Sequence, residues 1–242
     1  MRHRSQKGTA LVTGGAKRIG KEICLALGRM GYNVAVHYHS SRRQAEETAK
    51  QIRHNKVECE IFPCDLNRQQ RTLSIIQSVY TRFPDLNVLV NSASIFKKSR
   101  LATTDLHLFQ EHFATNFHAP YILICEFARL CRRGHIINLL DTDITRNKTE
   151  YFSYLLMKKA LADLTKMAAV ALSPQIRVNG ICPGLILPPP GQGDEYLQRQ
   201  AKNVPLQKKG EVDNITHSLR FLLGNDYVTG QFIFNDGGEH LV

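Results

Sequence analysis

No stretch of this 242-residue chain holds the ~18 to 20 consecutive apolar residues that a membrane-spanning helix needs. Even Met167 to Leu172 is a short helix face bounded by Lys166 and Ser173, so no membrane partner is expected. The basic start MRHRSQK is followed by only Ala10, Leu11 and Val12 before the glycines begin. That leaves no apolar core for a signal peptide, and a cytoplasmic location is expected. The six cysteines (Cys24, Cys59, Cys64, Cys125, Cys131 and Cys182) include no C-x-x-C pair and no Cys/His set at zinc spacing. They read as buried thiols, with no metal site. A Ser/Gly-rich linker, a charge block and an internal repeat are all missing, which leaves one domain over residues 8–242 behind a basic, disordered tail at 1–7.

Acidic residues are in short supply: 21 against 32 Lys and Arg, a net charge of +11. The cations come in twos and threes along the whole chain, without one basic helix or an RNA-binding aromatic signature, so a nucleic-acid partner is not expected. An anionic cofactor or substrate explains the positive field more simply.

What is present is a repeating alternation. Short apolar runs at residues 9–13, 33–38, 57–62, 88–90, 135–140, 177–181 and 231–234 read as strands. Between them lie segments of helical period: 19–30 stopped by Gly31, 41–54 with a Ser41-x-x-Gln44 capping box, and 67–82 capped near Asn67. Further helical segments follow at 104–116, 119–132, 148–172 and 212–223. Repeated βα steps imply a Rossmann-type, doubly wound parallel sheet of the α/β class, with helices on both faces. Ligands of such sheets bind beyond the carboxyl ends of the strands.

The motifs fall at those ends. Thr13-Gly14-Gly15-Ala16-Lys17-Arg18-Ile19-Gly20 follows the first strand, where small residues let a pyrophosphate approach a helix N-terminus. The second strand ends in His37-Tyr38-His39-Ser40-Ser41-Arg42, without the carboxylate that binds a ribose 2′-hydroxyl. Arg18, His39, Ser40, Ser41 and Arg42 are instead suited to a 2′-phosphate, which points to NADP(H). Tyr154 and Lys158 share a helix face, where a cation stabilises a phenolate. The loop Leu185 to Gly193, with Pro188-Pro189-Pro190, reads equally as a lid over the substrate or as a plain surface loop.

Taken in order, the glycine turn, Asp65, Asn91-Ser92-Ala93-Ser94, Asn116, Tyr154/Lys158 and Pro183-Gly184 resemble the short-chain dehydrogenase/reductase family over residues 8–242. The resemblance implies Tyr154 as proton donor, with Lys158 lowering its pKa and holding the nicotinamide ribose, and Asn116 maintaining a water-linked proton relay. It implies cofactor contacts from Gly14, Lys17, Arg18, Ile19, Gly20, Asp65 and Leu66, then from Asn91, Ser92, Ala93, Pro183 and Gly184. It also implies a homotetramer with helices 104–132 and 148–172 at its interfaces.

Three departures from the common family pattern are informative. Arg18 stands where the glycine turn usually has a second conserved glycine, N-S-A-S replaces N-N-A-G, and Asp141 occupies the place of the usual serine, 13 residues before Tyr154. All three resemble the pteridine reductases and related dihydromonapterin reductases. That subgroup implies substrate contacts from Arg18, Ser94, Phe96, Asp141, Tyr154 and Leu185. Asp143 competes with Asp141 for the aspartate role. An ionised aspartate repels a developing alkoxide but stabilises cationic iminium character. The expected activity is therefore NADPH-dependent reduction of a dihydropterin (dihydromonapterin, dihydrobiopterin or dihydrofolate). The alternatives are reduction of a carbonyl such as a 3-oxoacyl thioester, and a noncatalytic NADP- or RNA-binding role, against which the intact Asn116, Tyr154 and Lys158 set argues.

Overall fold

Strands alternate with one or two helices through the computed structural model, which describes residues 7–189 and 191–242. The strands are β1 (Thr9–Val12), β2 (Asn33–Tyr38), β3 (Cys59–Pro63), β4 (Leu86–Asn91), β5 (Gly134–Leu139), β6 (Ile176–Pro183) and β7 (Phe232–Asn235). They form one sheet in the order β3-β2-β1-β4-β5-β6-β7, with every pairing parallel. The helices are α1 (Arg18–Arg29), α2 (Arg42–Arg53), α3 (Gln69–Arg82), α4 (Leu106–Phe113), α5 (Ala119–Leu130), α6 (Phe152–Ala171), α7 (Asp194–Ala201) and α8 (Val212–Gly224).

Alternate side chains of each strand point to opposite faces, and helices cover both, which is why the central strands are apolar without interruption. Val12, Val36, Val90, Ile137 and Ile181 pack toward Ile23 and Leu27 of α1, Ile52 of α2 and Leu219 of α8. Leu11, Leu89, Ile136 and Val178 face Ile76 of α3, Leu123 and Phe127 of α5 and Ala168 of α6. Leu11, Leu27, Leu89 and Ile136 are wholly buried, a burial that stabilises the fold by roughly 1.5–3 kcal/mol each. The chain winds outward from β1 to β3, then crosses to β4 and winds the other way. The crevice this reversal opens, between the ends of β1 and β4, is where a ligand fits.

Several local expectations are corrected. Ser41 sits at the cap of α2 but makes no capping bond through its side chain. Asn67 does not cap α3, because Arg68 holds that place and the Asn67 amide is turned to Asp65 and Thr115. The helix expected from residue 148 starts at Phe152, after Tyr151 adopts a left-handed φ of 58°. The segments 104–116 and 119–132 are joined by a π-turn, Ala114–His118. Helix α7 gave no signal because only Leu197 and Ala201 on it are buried. Of the expected tail, residues 1–6 lie outside the described residues. Lys7 is held by its carbonyl, which accepts from Asn87 Nδ2 at 2.8 Å.

Candidate active site

The turn after β1 is built from close approaches. Gly14 takes φ +66°, and a Cβ on Gly20 would stand 2.3 Å from the Gly14 carbonyl oxygen. The Gly14 N–H donates to His37 Nδ1 at 3.0 Å, and the other ring nitrogen lies 3.0 Å from the Cys64 carbonyl. An N–H on one side and a carbonyl on the other fix the tautomer, so Nδ1 accepts and Nε2 donates. Burial pulls the His37 pKa down from 6.5 to about 4, which keeps this pin neutral. Thr13 Oγ1 accepts from the N–H groups of Ser92 and Ala93 at 2.9 and 3.0 Å, tying the turn after β4 to the turn after β1. Neither His37 nor Thr13 was assigned such a role from the sequence.

Helix α1 opens with Lys17 at its cap, no side-chain capping bond and no acidic residue in its first turn. Its first N–H groups and the positive end of its dipole are therefore available to an anion. Arg18 has φ +55°, a left-handed backbone that costs a non-glycine residue about 1–2 kcal/mol. This explains why a glycine usually stands at that position. The arginine gains reach in exchange, since its Nη2 donates to the Pro188 carbonyl at 2.7 Å.

Past β2, His39 and Ser40 are exposed and Ser41 half-buried, while Arg42 is already paired with Glu46 at 2.9 Å. Asp65 accepts from the Asn67 backbone and side-chain amides at 3.1 and 3.2 Å. Burial pushes its pKa upward, but these bonds and the nearby His39 and Arg68 hold it below the ordinary carboxylate range. Leu66 is buried in the α3 core. Asn91 is buried as well, donating to Asn138 Oδ1 at 2.8 Å and so joining β4 to β5.

A 210 Å³ cavity is lined by Arg18, Ile19, Ser92, Ser94, Phe96, Leu139, Leu140, Asp141, Tyr154, Lys158, Pro183, Gly184, Ile186 and Leu187. Ten of the expected site residues thus meet in one place. Leu185 is not among them: its carbonyl accepts from Gly210, and the next two side chains line the wall instead. The loop they belong to also supplies Pro188 to Arg18, so it takes part in the cavity; Pro190 lies outside the described residues. Asn116 stays off the lining. Its amide is spent on the Ile95 backbone, accepting at 2.8 Å and donating at 2.9 Å, which fixes the loop carrying Ser94 and Phe96.

Within the cavity Tyr154 Oη donates to Asp141 Oδ2 at 2.6 Å. The other carboxylate oxygen accepts from the Asp143 N–H at 2.8 Å. Asp143 itself is turned away, its carboxylate 2.5 Å from Arg146 and 2.8 Å from Lys148, so Asp141 is the tyrosine's partner. Lys158 Nζ donates to the Leu139 carbonyl at 2.6 Å and lies 5.7 Å from the centre of the Tyr154 ring. Burial lowers the Lys158 pKa from 10.5 to about 8. Burial also raises Asp141 above the usual carboxylate range, and burial with the adjacent carboxylate holds Tyr154 well above 10, opposite to the lowering by Lys158 that the resemblance implied. Phe96 meets the Tyr154 ring edge-on at 4.8 Å and stacks on Tyr151 at 4.2 Å.

Among the described residues no cluster of His, Cys, Asp and Glu is arranged to hold a metal ion, and no helix is long and apolar enough to cross a membrane. The arrangement is that of a proton-delivering group beside a cleft with an anion-binding end.

Comparison with known proteins agrees with this geometry. A family model described as enoyl-(acyl carrier protein) reductase matches residues 14–240. The chain is 30% identical over 241 residues to the 3-oxoacyl-(acyl-carrier-protein) reductase FabG of Staphylococcus epidermidis, covering 96% of this chain and 99% of that one. It is 31% identical over 277 residues to pteridine reductase 1 of Leishmania tarentolae, covering 96% of each. The crystal structure of FolM alternative dihydrofolate reductase 1 from Brucella suis in complex with NADP superposes with a TM-score of 0.93 at 34% identity, over 97% of this chain and 96% of that one. With its seven parallel strands, glycine turn and Tyr154/Lys158 pair, the chain belongs to the short-chain dehydrogenase/reductase family of oxidoreductases.

Proposed function

We propose that the protein is an NADPH-dependent pteridine reductase that reduces a C=N bond of a dihydropterin, such as dihydromonapterin, dihydrobiopterin or dihydrofolate, to the tetrahydro level. The observation that carries this reading is the 2.6 Å bond between Tyr154 Oη and Asp141 Oδ2. A hydroxyl at residue 141 would donate to a ketone oxygen as it gains negative charge, whereas a carboxylate there repels it. Reduction at C=N develops positive charge at nitrogen, which Asp141 favours.

NADPH, when bound, supplies the hydride. The cradle fits it: the uncapped N-terminus of α1 would take the pyrophosphate, and His39, Ser40 and Ser41 the 2′-phosphate, while Arg18, held on the Pro188 carbonyl, faces the cavity instead. Lys158, anchored on Leu139, would hold the nicotinamide ribose. Tyr154 delivers the proton to the substrate nitrogen, and Asp141 fixes the direction of the Tyr154 hydroxyl. Phe96, part-exposed at the cavity, offers an aromatic surface to a flat pterin, with Arg18 and Ser94 at its edge. The likeness to pteridine reductase 1 and to the NADP complex of FolM alternative dihydrofolate reductase supports the same reading.

The test is NADPH oxidation with dihydromonapterin, dihydrobiopterin and dihydrofolate beside acetoacetyl-CoA, repeated with NADH. Turnover of a dihydropterin with preference for NADPH is expected. The 30% identity to a 3-oxoacyl thioester reductase favours the rival, and turnover of the thioester alone would establish it. The reading includes a homotetramer, supported by the part-exposed Phe109, Phe113 and Tyr121 on α4 and α5; a monomer by analytical ultracentrifugation would remove that part.

A further inference from the structure

Asp141 reaches its working position through a chain of contacts that runs away from the cavity. Its Oδ1 is held by the Asp143 N–H at 2.8 Å, and the Asp143 carbonyl in turn accepts from the Arg146 N–H at 2.9 Å. The Arg146 guanidinium lies 2.5 Å from the Asp143 carboxylate. It also donates to Glu239 Oε1 at 3.1 Å and to the Val242 carbonyl at 2.9 Å. Arg146, Asp143 and Glu239 keep only 23%, 19% and 23% of their side-chain surface exposed, so solvent screens these charges far less than it does a surface pair. A second tie runs in parallel, Thr142 Oγ1 donating to buried Asp236 Oδ2 at 2.5 Å.

Resting on the pteridine reductase reading, we propose that Arg146 is a positioning residue for the Asp141–Tyr154 pair. It clamps Asp143 between the turn after β5 and the segment after β7, so that the Asp143 amide fixes one oxygen of Asp141 and its carboxylate stays neutralised. The alternative arrangement is close at hand. Asp143 is two residues from Asp141, and a free carboxylate there would place a second negative charge beside the tyrosine. Like charge disfavours ionisation, and Asp143 acts in that sense on both Asp141 and Tyr154. The other titratable groups facing Asp141 are Tyr154 and Lys158 from α6 and Cys182 from β6, with Arg18 across the cavity. Of these only Lys158 and Arg18 carry positive charge and neither pairs with Asp143, whose carboxylate is held by Arg146 at 2.5 Å and by Lys148 at 2.8 Å. Lys148 is the more exposed of the two, so solvent screens its share more and Arg146 carries the larger part.

The test compares Arg146→Gln, Arg146→Lys, Asp143→Asn and the Arg146→Gln/Asp143→Asn double variant. The readouts are the pH dependence of kcat, KM for NADPH, and carbon NMR titration of the Asp141 carboxyl assigned with Asp141→Asn. In Arg146→Gln the Asp141 midpoint is expected to rise by about one unit, with kcat down about tenfold and KM for NADPH unchanged. Arg146→Lys keeps the charge and should hold the midpoint near wild type, and the double variant should bring it back down. A midpoint unmoved in Arg146→Gln, with turnover falling only in step with thermal stability, overturns the proposal. So does a double variant no nearer wild type than Arg146→Gln. The NMR titration needs no substrate: a midpoint that moves as expected in an enzyme that does not reduce dihydropterins keeps the clamp and removes the pteridine reading.

Discussion

The glycine turn after β1 and the Asp141 turn after β5 both project from the carboxyl ends of parallel strands into the same cavity, yet they are fastened by different means. The first is pinned by neutral groups: His37 between Gly14 and Cys64, and Thr13 across to Ser92 and Ala93. The second is held by charges, with Arg146 and Lys148 on Asp143 and Asp236 on Thr142. The difference matches what each turn does. A cofactor seat has to keep one shape across neutral pH, and an imidazole with a pKa near 4 does not change charge there. A proton-delivering pair has to be tuned, and nearby charges set its pKa values.

The comparison breaks most sharply at the tyrosine. Tyr154→Phe removes the proton donor and is expected to lower dihydropterin turnover by about 10²–10⁴-fold while NADPH still quenches or enhances fluorescence as in wild type. Turnover within a few-fold of wild type would take the tyrosine out of the mechanism. On the other side, Gly20→Ala drives a Cβ against the Gly14 carbonyl oxygen, a backbone atom that cannot swing aside. A loss of about 1–3 kcal/mol in chemical denaturation and a matching loss of NADPH affinity are expected.

His37→Phe separates the two fastenings further. It strands the Gly14 N–H and the Cys64 carbonyl in a buried place, at a cost of about 1–3 kcal/mol. The pH dependence has a definite sign. Because the His37 pKa is lowered in the folded state from 6.5 to about 4, its contribution to stability is complete above 6.5 and is lost as pH falls toward 4. The wild type should therefore lose stability more steeply than His37→Phe across that window in denaturation at stepped pH.

Lys158 tests the charged side. With its pKa lowered to about 8 by burial, it loses its proton as pH rises through that value, and kcat is expected to fall there. A flat profile from pH 7 to about 9 would show that the ammonium is not needed. The smallest effect is expected at Ser41, whose hydroxyl makes no capping bond. Ser41→Ala should leave thermal stability unchanged and weaken NADPH, but not NADH, by about three- to tenfold.

The order of strands and helices was legible in the sequence because uninterrupted apolar runs are what a sheet covered on both faces requires, as in Ala10-Leu11-Val12 and Val88-Leu89-Val90. The cavity was legible wherever local spacing carries the geometry: Arg18 and Ile19 open α1, and Tyr154 and Lys158 share one face of α6. Spacing to Tyr154 favoured Asp141, but the ambiguous strand end in Leu139-Leu140-Asp141-Thr142-Asp143 kept Asp143 as a rival. The choice between them depends on Arg146 and Lys148, which claim Asp143, and on a backbone amide. His37 drew no role from the sequence because its partners, Gly14 and Cys64, are brought to it only when β1, β2 and β3 pair. Leu185 was placed on the cavity by position along the chain, whereas the turn after Gly184 presents Ile186 and Leu187. The ties from Arg146 to Glu239 and Val242 span more than 90 residues and leave no local signature.

The most direct measurement is the ratio of dihydropterin to acetoacetyl thioester turnover in the wild type and in Asp141→Ser, with NADPH saturating in both. The account predicts a ratio strongly in favour of the dihydropterin in the wild type and its collapse in Asp141→Ser, with thioester turnover unchanged or gained. A ratio that is the same in both proteins would contradict the claim that the carboxylate of Asp141 selects the reaction.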